Sequence, residues 1–343
     1  VWFQGRAAWT FATAYRLAEP REEWRAVALS CADFLRKHAY GPEGKMYFTL
    51  TREGQPLRMR RYVFSESFAA IGFAACSKIT DDESLVADAW RAWDTYLHHS
   101  FTPGVMAAKT EPDSRPMKGV ALWMIAMATA QELRELLGDQ EVRGSTCTQW
   151  IDRAITEIED DFFKPELGAL MEVVAPDGSL LDHFDGRQLN PGHAIEAAWF
   201  ILHEAKHRGG EARLVKLGCA ILDGMWKRGW DSEHGGILYN VDVRGLPVQE
   251  YWHHMKFWWP HNEAVIATLL AWELTEDAKY LEWHAQVHDW AYEHFADPEH
   301  GEWYGYLDRA GQRTSDLKGG TFKGPFHLPR MQMYCWKLLE GMS

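Results

Sequence analysis

Two histidines in this sequence each lie three residues before a charged partner, at the start of a segment with helical apolar periodicity. In Asn190-Pro191-Gly192-His193-Ala194-Ile195-Glu196, the i,i+3 spacing puts His193 and Glu196 on one helix face. A carboxylate in that position orients an imidazole and raises its basicity, as a general acid/base requires. Pro191 suits the first helical turn and Gly192 lets backbone or ligand approach closely. In Gly324-Pro325-Phe326-His327-Leu328-Pro329-Arg330 the partner is a cation, which holds the His327 pKa down or stabilises an anion bound between them. A third run, Met255-Lys256-Phe257-Trp258-Trp259-Pro260-His261-Asn262-Glu263, offers two indole faces for stacking, with Glu263 at helical spacing from Trp259. His253, His254 and His261 fall in or beside this run, but lack the carboxylate and spacing of a metal site. Any one of these residues alone is ordinarily a helix cap or a satisfied core group.

Repetition argues otherwise. Arg6, Glu66, Lys118, His193, Glu263 and His327 with Arg330 fall at or near the starts of alternate helical segments, at spacings of 60, 52, 75, 70 and 64 residues. Hydrophobic periodicity predicts eleven helices, at 5–18, 21–39, 63–79, 82–100, 117–137, 145–164, 191–208, 211–228, 255–275, 277–295 and 325–340. Tight punctuation such as Glu19-Pro20, Gly209-Gly210 and Thr275-Glu276-Asp277 joins them in antiparallel pairs. Between pairs a second element recurs, a glycine, a short aromatic or β-branched run, and a glycine turn, at 44–54, 168–178, 235–245 and 301–311. Each reads as a two-stranded hairpin. A repeat of helix, helix, hairpin implies a ring of like units, all-α in class, with the polar helices innermost and their starts at one mouth. Six pairs need twelve helices, so the expected single barrel domain over 1–343 lacks its first outer helix.

The aromatic content fits a carbohydrate site or a large all-helical core, and the charge argues against some other partners. There are 18 Trp, 12 Tyr and 16 Phe, whose flat apolar faces suit sugar C–H faces. A formal net charge of -13 argues against nucleic acid or an anionic membrane. No apolar run approaches the ~20 residues that span a bilayer, and Val1 to Arg6 has no signal-peptide layout. Five dispersed cysteines, Cys31, Cys76, Cys147, Cys219 and Cys335, imply reduced thiols and a cytoplasmic protein. Zinc-type spacing of Cys and His is absent from the sequence.

The runs Trp2-Phe3-Gln4-Gly5-Arg6, Asn190-Pro191-Gly192-His193 to Glu196-Ala197, and Lys256-Phe257-Trp258-Trp259-Pro260-His261 to Glu263-Ala264 resemble the N-acylglucosamine 2-epimerase (renin-binding protein) family. So do Phe64-Ser65-Glu66, Gly229-Trp230-Asp231 to His234-Gly235-Gly236, and Lys318-Gly319-Gly320 through Pro329-Arg330, in the same order across the whole chain. The resemblance implies an (α/α)6 barrel that interconverts N-acetylglucosamine and N-acetylmannosamine, with His193 and His327 acting at C2. It further implies functional roles for Arg6, Glu263 and Arg330, and more loosely for Lys118. Glu66, Glu196, Trp258, Trp259, His261 and Asn190 are the expected substrate contacts. No cofactor is required by this reading; ATP is an effector of such enzymes, although no Walker-type run is present. The missing-helix gap should either be covered by a partner subunit, as in a homodimer, or leave the isolated chain poorly stable. Alternatives are an aldose–ketose isomerase, a 2-epimerase of mannose or cellobiose, or a non-catalytic binding relative. A glycoside hydrolase on the same barrel would need two carboxylates flanking the bond instead of two histidines.

Overall fold

The computed structural model describes residues 1–342. Its helices, in chain order, are α1 (Trp2–Leu17), α2 (Glu22–Phe34), α3 (Phe64–Cys76), α4 (Ser84–Phe101), α5 (Ala121–Leu137), α6 (Cys147–Glu157), α7 (Phe184–Arg187), α8 (Pro191–His207), α9 (Ala212–Gly229), α10 (Trp258–Thr275), α11 (Ala278–Phe295) and α12 (His327–Met342). Setting aside α7, a single turn, eleven long helices stand among the described residues, matching the eleven periodic segments. Two of them, α2 and α6, continue into a π turn, at Leu35–Ala39 and Ile158–Phe162. The largest boundary difference is at Lys118, which belongs to a short strand, Lys118–Gly119, before α5 begins.

The chain divides into two compact units. One comprises residues 1–111, 122–154 and 324–329; the other comprises 112–121, 155–323 and the chain from Arg330. In the first unit α1 packs on α2 and α3, and α3 on α4. That packing depends on small residues: a Cβ added at Gly5 would lie 2.6 Å from the Phe68 carbonyl carbon, and one at Gly72 2.7 Å from the Gly5 oxygen. In the second unit α8 packs on α9 and α10, and α10 on α11. The expected alternation of inner and outer helices is visible in burial. α3 and α10 are buried on nearly every face, whereas α2 buries only Ala28 and Ala32 and α11 only Tyr280, Val287, Ala291 and Phe295. A helix apolar all round needs neighbours all round, and a one-sided helix lies at a surface.

The inter-pair elements differ from simple hairpins. The run after each glycine pairs backwards, onto the end of the preceding helix: Tyr40 with Met46, Phe163 with Leu170, Trp230 with Ile237, and Ala296 with Trp303. The turns that follow are closed as expected, as in Thr51 N–H to Gln55 O at 2.8 Å and Asp308 N–H to Gln312 O at 2.8 Å. The first closes a local ladder, between Thr49–Leu50 and Pro56–Arg58, and the fourth a single local bridge between Leu307 and Arg313. Elsewhere Val173–Val174 pairs with Lys118–Gly119, Val241–Asp242 with Gln188–Leu189, and Tyr306–Leu307 with Lys256–Phe257. The partner strand in these three cases leads directly into α5, α8 or α10. The pairing is therefore non-local, and it fixes the starts of the helices that carry the polar residues. All five cysteines are free, and among the described residues no helix is long and apolar enough to cross a membrane.

Candidate active site

In the first unit the site is built on α1 and the segment before α12. Thr10 donates to the Pro325 carbonyl at 2.6 Å, and Trp9 packs edge-on against Phe326 at 5.3 Å. This seats His327 against Arg6, with Arg6 Nη1 3.4 Å from His327 Nε2. The guanidinium lies over three rings, Trp2 at 4.2 Å, Phe68 at 4.1 Å and Phe326 at 4.6 Å. Both side chains are buried. Arginine can only donate, so a hydrogen bond here has Nε2 as its acceptor.

In the second unit the site is built on α8, α10 and α12. Asn190 caps α8, its Oδ1 accepting from the His193 N–H at 2.9 Å. Gly192 is required for close approach: a Cβ there would lie 2.7 Å from the Trp259 ring and 2.8 Å from Pro260. Trp259 consequently packs against the His193 imidazole, centroids 4.9 Å apart. The partner of His193 is not Glu196. Its Nδ1 faces Glu172, 3.1 and 3.2 Å from the two carboxylate oxygens. Glu196 instead accepts from Arg330 at 2.7 Å, and Arg330 bridges to Glu263, also at 2.7 Å. Glu263 takes a further bond from the Trp199 indole at 2.7 Å. The i,i+3 argument failed because a buried arginine competes for Glu196, and three carboxylates share this region with one guanidinium. Burial disfavours the His193 imidazolium, but Glu172, then Glu196 and Glu263, outweigh it and raise its pKa. Burial also disfavours the Arg330 charge, yet Glu263 and Glu196 hold it firmly protonated.

The remaining expected residues have other surroundings. Glu66 is buried on α3, where one oxygen accepts from the Met46 N–H at 2.6 Å and the other has no hydrogen-bond partner among the described residues. Burial pushes its pKa up to about 7. Lys118 is ion-paired with Glu157 at 2.7 Å and with Asp161. His261 belongs to the core: Nε2 accepts from the Ile237 N–H at 2.9 Å and Nδ1 donates to the Phe257 carbonyl at 2.7 Å. Neither nitrogen is left for a sugar, and burial lowers its pKa to about 3. Trp258, adjacent to Trp259 on a helix, points elsewhere, edge-on to Tyr306 at 5.5 Å and beneath the Lys323 ammonium. Sequence reasoning missed Glu172. Its one signal is a lone carboxylate within the apolar run Ala169-Leu170-Met171-Glu172-Val173-Val174.

The sequence model of the N-acylglucosamine 2-epimerase (GlcNAc 2-epimerase) family matches residues 1–327. The N-acylglucosamine 2-epimerase of Bos taurus is 34% identical over 356 residues, covering 100% of this chain and 81% of that protein. The cellobiose 2-epimerase of Bacteroides fragilis is 27% identical, covering 97% and 86%. A solved cellobiose 2-epimerase from Bacillus thermoamylovorans superposes with a TM-score of 0.83 at 18% identity, over 99% of this chain and 87% of that one. The fold is thus the (α/α)6 barrel expected from the helix repeat. With a family match over residues 1–327 that takes in His193, Glu263 and His327, and a relative matched along the whole chain, the chain belongs to the N-acylglucosamine 2-epimerase family.

Proposed function

We propose that this epimerase interconverts N-acetylglucosamine and N-acetylmannosamine by removing the C2 proton of the ring-opened sugar and returning one on the opposite face. A single base cannot easily serve both faces, so two acid/base groups are needed, and imidazoles suit neutral pH. His193 and His327 take these roles. The observation that carries the reading is their opposite backing: Glu172 at 3.1 Å behind His193, Arg6 at 3.4 Å beside His327. Such backing favours one protonated and one neutral imidazole, the resting pair that epimerisation uses. Charge developing on the C1 oxygen falls to Arg6, whose guanidinium is held in the Trp2, Phe68 and Phe326 cage beside His327. Arg330 is neutralised by Glu196 and Glu263, and Lys118 by Glu157 and Asp161, so these two act as organisers of the carboxylates around them. Trp259 supplies the stacking face. No cofactor takes part in this chemistry, and ATP would act as an effector and not as a reactant. The reduced cysteines support a cytoplasmic location, and exposed Trp336 and Leu339 on α12 support a homodimer, which sedimentation would test.

Proton NMR of N-acetylmannosamine incubated with the protein in D2O tests the reading, through deuterium wash-in at C2 accompanied by the second epimer. Comparing kcat/KM for N-acetylmannosamine, mannose and cellobiose tests the substrate class. A preference for either of the last two would move the activity to that of a sister enzyme.

A further inference from the structure

Glu172 lies outside the motif runs quoted above, yet it makes the polar contact that faces the His193 imidazole. Both carboxylate oxygens lie within hydrogen-bond distance of Nδ1, at 3.1 and 3.2 Å. This geometry fixes the tautomer: Nδ1 carries a proton donated to Glu172, and Nε2 is the atom left to exchange a proton with a substrate. The ring is held from the other side by Trp259, at 4.9 Å. Glu172 itself is placed by the pairing of Val173–Val174 with Lys118–Gly119, so its position is set by backbone and not by a flexible loop.

We infer that Glu172 is a positioning residue that keeps His193 in the imidazolium form in the resting enzyme, so that His193 begins the cycle as the acid. The inference rests on the epimerase reading above. In the step that follows proton abstraction by the other base, the His193 Nε2–H bond breaks and its proton passes to C2. The enolate electron pair forms the new C2–H bond while the C1 carbonyl is restored. His193 is left neutral, with its Nδ1–H still on Glu172, and regains a proton from solvent or from the reverse reaction. The other charged or titratable groups around it are Glu196 on its own helix, Glu263 on α10, Arg330 bridging those two, and Tyr239, whose hydroxyl burial pushes up to about 12. Among the described residues Glu172 differs from Glu196 and Glu263 in having no arginine paired with it: its carboxylate faces the imidazole. The raised His193 pKa agrees with this arrangement.

The test compares the full-length parent with Glu172→Gln and Glu172→Asp. The pH profile of kcat/KM for N-acetylmannosamine should be bell-shaped, its alkaline limb reporting loss of the His193 proton from the coupled pair. Glu172→Gln keeps size and an accepting oxygen but removes the charge. It should move that limb to lower pH by about 1–3 units and cut kcat by about 10- to 100-fold, while Glu172→Asp brings the limb back toward the parent. A merely structural role would lower the rate and leave the limb in place, and that result would overturn the inference. NMR titration of the His193 ring provides a readout independent of turnover: an unchanged His193 pKa in Glu172→Gln also overturns it. If the parent epimerises no 2-acetamido sugar, the epimerase reading fails, and the titration alone still decides whether Glu172 governs His193.

Discussion

His193 shares its Nδ1 proton with a carboxylate, whereas His327 turns Nε2 toward a guanidinium. The two regions also treat their buried inner-helix glutamates differently. Glu263 in the second unit is fully buried but salt-bridged to Arg330, while Glu66 in the first is fully buried with only a backbone donor. A buried carboxyl without a cation is cheaper to hold protonated, and one with a cation is cheaper to hold charged. The difference teaches that histidine and glutamate identities alone do not assign roles; the formal charge placed behind each one does. In a reaction that inverts a carbon, the two faces need opposite protonation states, and on the proposed assignment unlike partners instead of unlike residues supply them.

The largest test of this comparison is removal of either imidazole. His193→Ala and His327→Ala should each fold and lose epimerisation by ~10²–10⁴-fold. One of the two should still exchange the C2 proton of one epimer with D2O, because a single base can remove and return a proton on the same face. Epimerisation within about tenfold of the parent in either variant would show the acid/base assignment to be wrong.

Arg6→Ala comes next. Losing a preorganised donor should lower kcat by ~10²–10³-fold. Losing a cation beside His327 should raise the pKa of that ring, so the acid limb of the kcat/KM profile moves to higher pH. This is the mirror image of the shift expected at the alkaline limb for Glu172→Gln, and shifts in the same direction would break the comparison.

Glu66→Gln probes the uncharged carboxyl. The unfolded chain ionises this group near 4.5 and the folded chain near 7. Between those values the unfolded state releases a proton that the folded state keeps, so stability falls as pH rises through the window and stays reduced above it. The substitution should remove that loss, on the order of 3 kcal/mol, and urea unfolding below and above the window measures it. No change in the pH dependence would mean Glu66 is ionised in the folded state.

The smallest effects belong to the glycines. Gly5→Ala and Gly192→Ala each place a methyl 2.6–2.7 Å from a neighbour, in the first case backbone and in the second the Trp259 ring. Overpacking should cost ~1–3 kcal/mol in each, read as a lower melting temperature. Only Gly192→Ala should also shift the pH profile, since it displaces the indole that holds His193. Equal effects on the profile would argue against separate settings for the two histidines.

The helices were legible because their apolar stripes are local, and α8 to α11 begin within three residues of the expected positions. The strand ladders were not, because Val173 pairs with Gly119 across the whole of α5 and α6, and no local pattern encodes such a partner. The same non-locality hid Glu172: His193 takes its carboxylate from the bend before Val173, 21 residues earlier, while the helical neighbour Glu196 is claimed by Arg330, 134 residues later. His261 stood out in sequence by its company of aromatics and histidines. Its two backbone partners, Ile237 and Phe257, are what make it a core residue, and only three-dimensional placement reveals them.

The aromatic cage around Arg6 has a consequence for ionic strength. Mobile ions cannot enter among Trp2, Phe68 and Phe326, whose rings lie within 4.6 Å of the guanidinium carbon. Salt at 0.1 M screens exposed charges beyond about 10 Å, but a buried pair keeps most of its field. The hold of Arg6 on His327 is therefore insulated from the surrounding electrolyte, unlike that of an exposed arginine such as Arg115. The acid limb of the pH profile should stay in place as potassium chloride is added, giving the enzyme the same working range in dilute and concentrated solution.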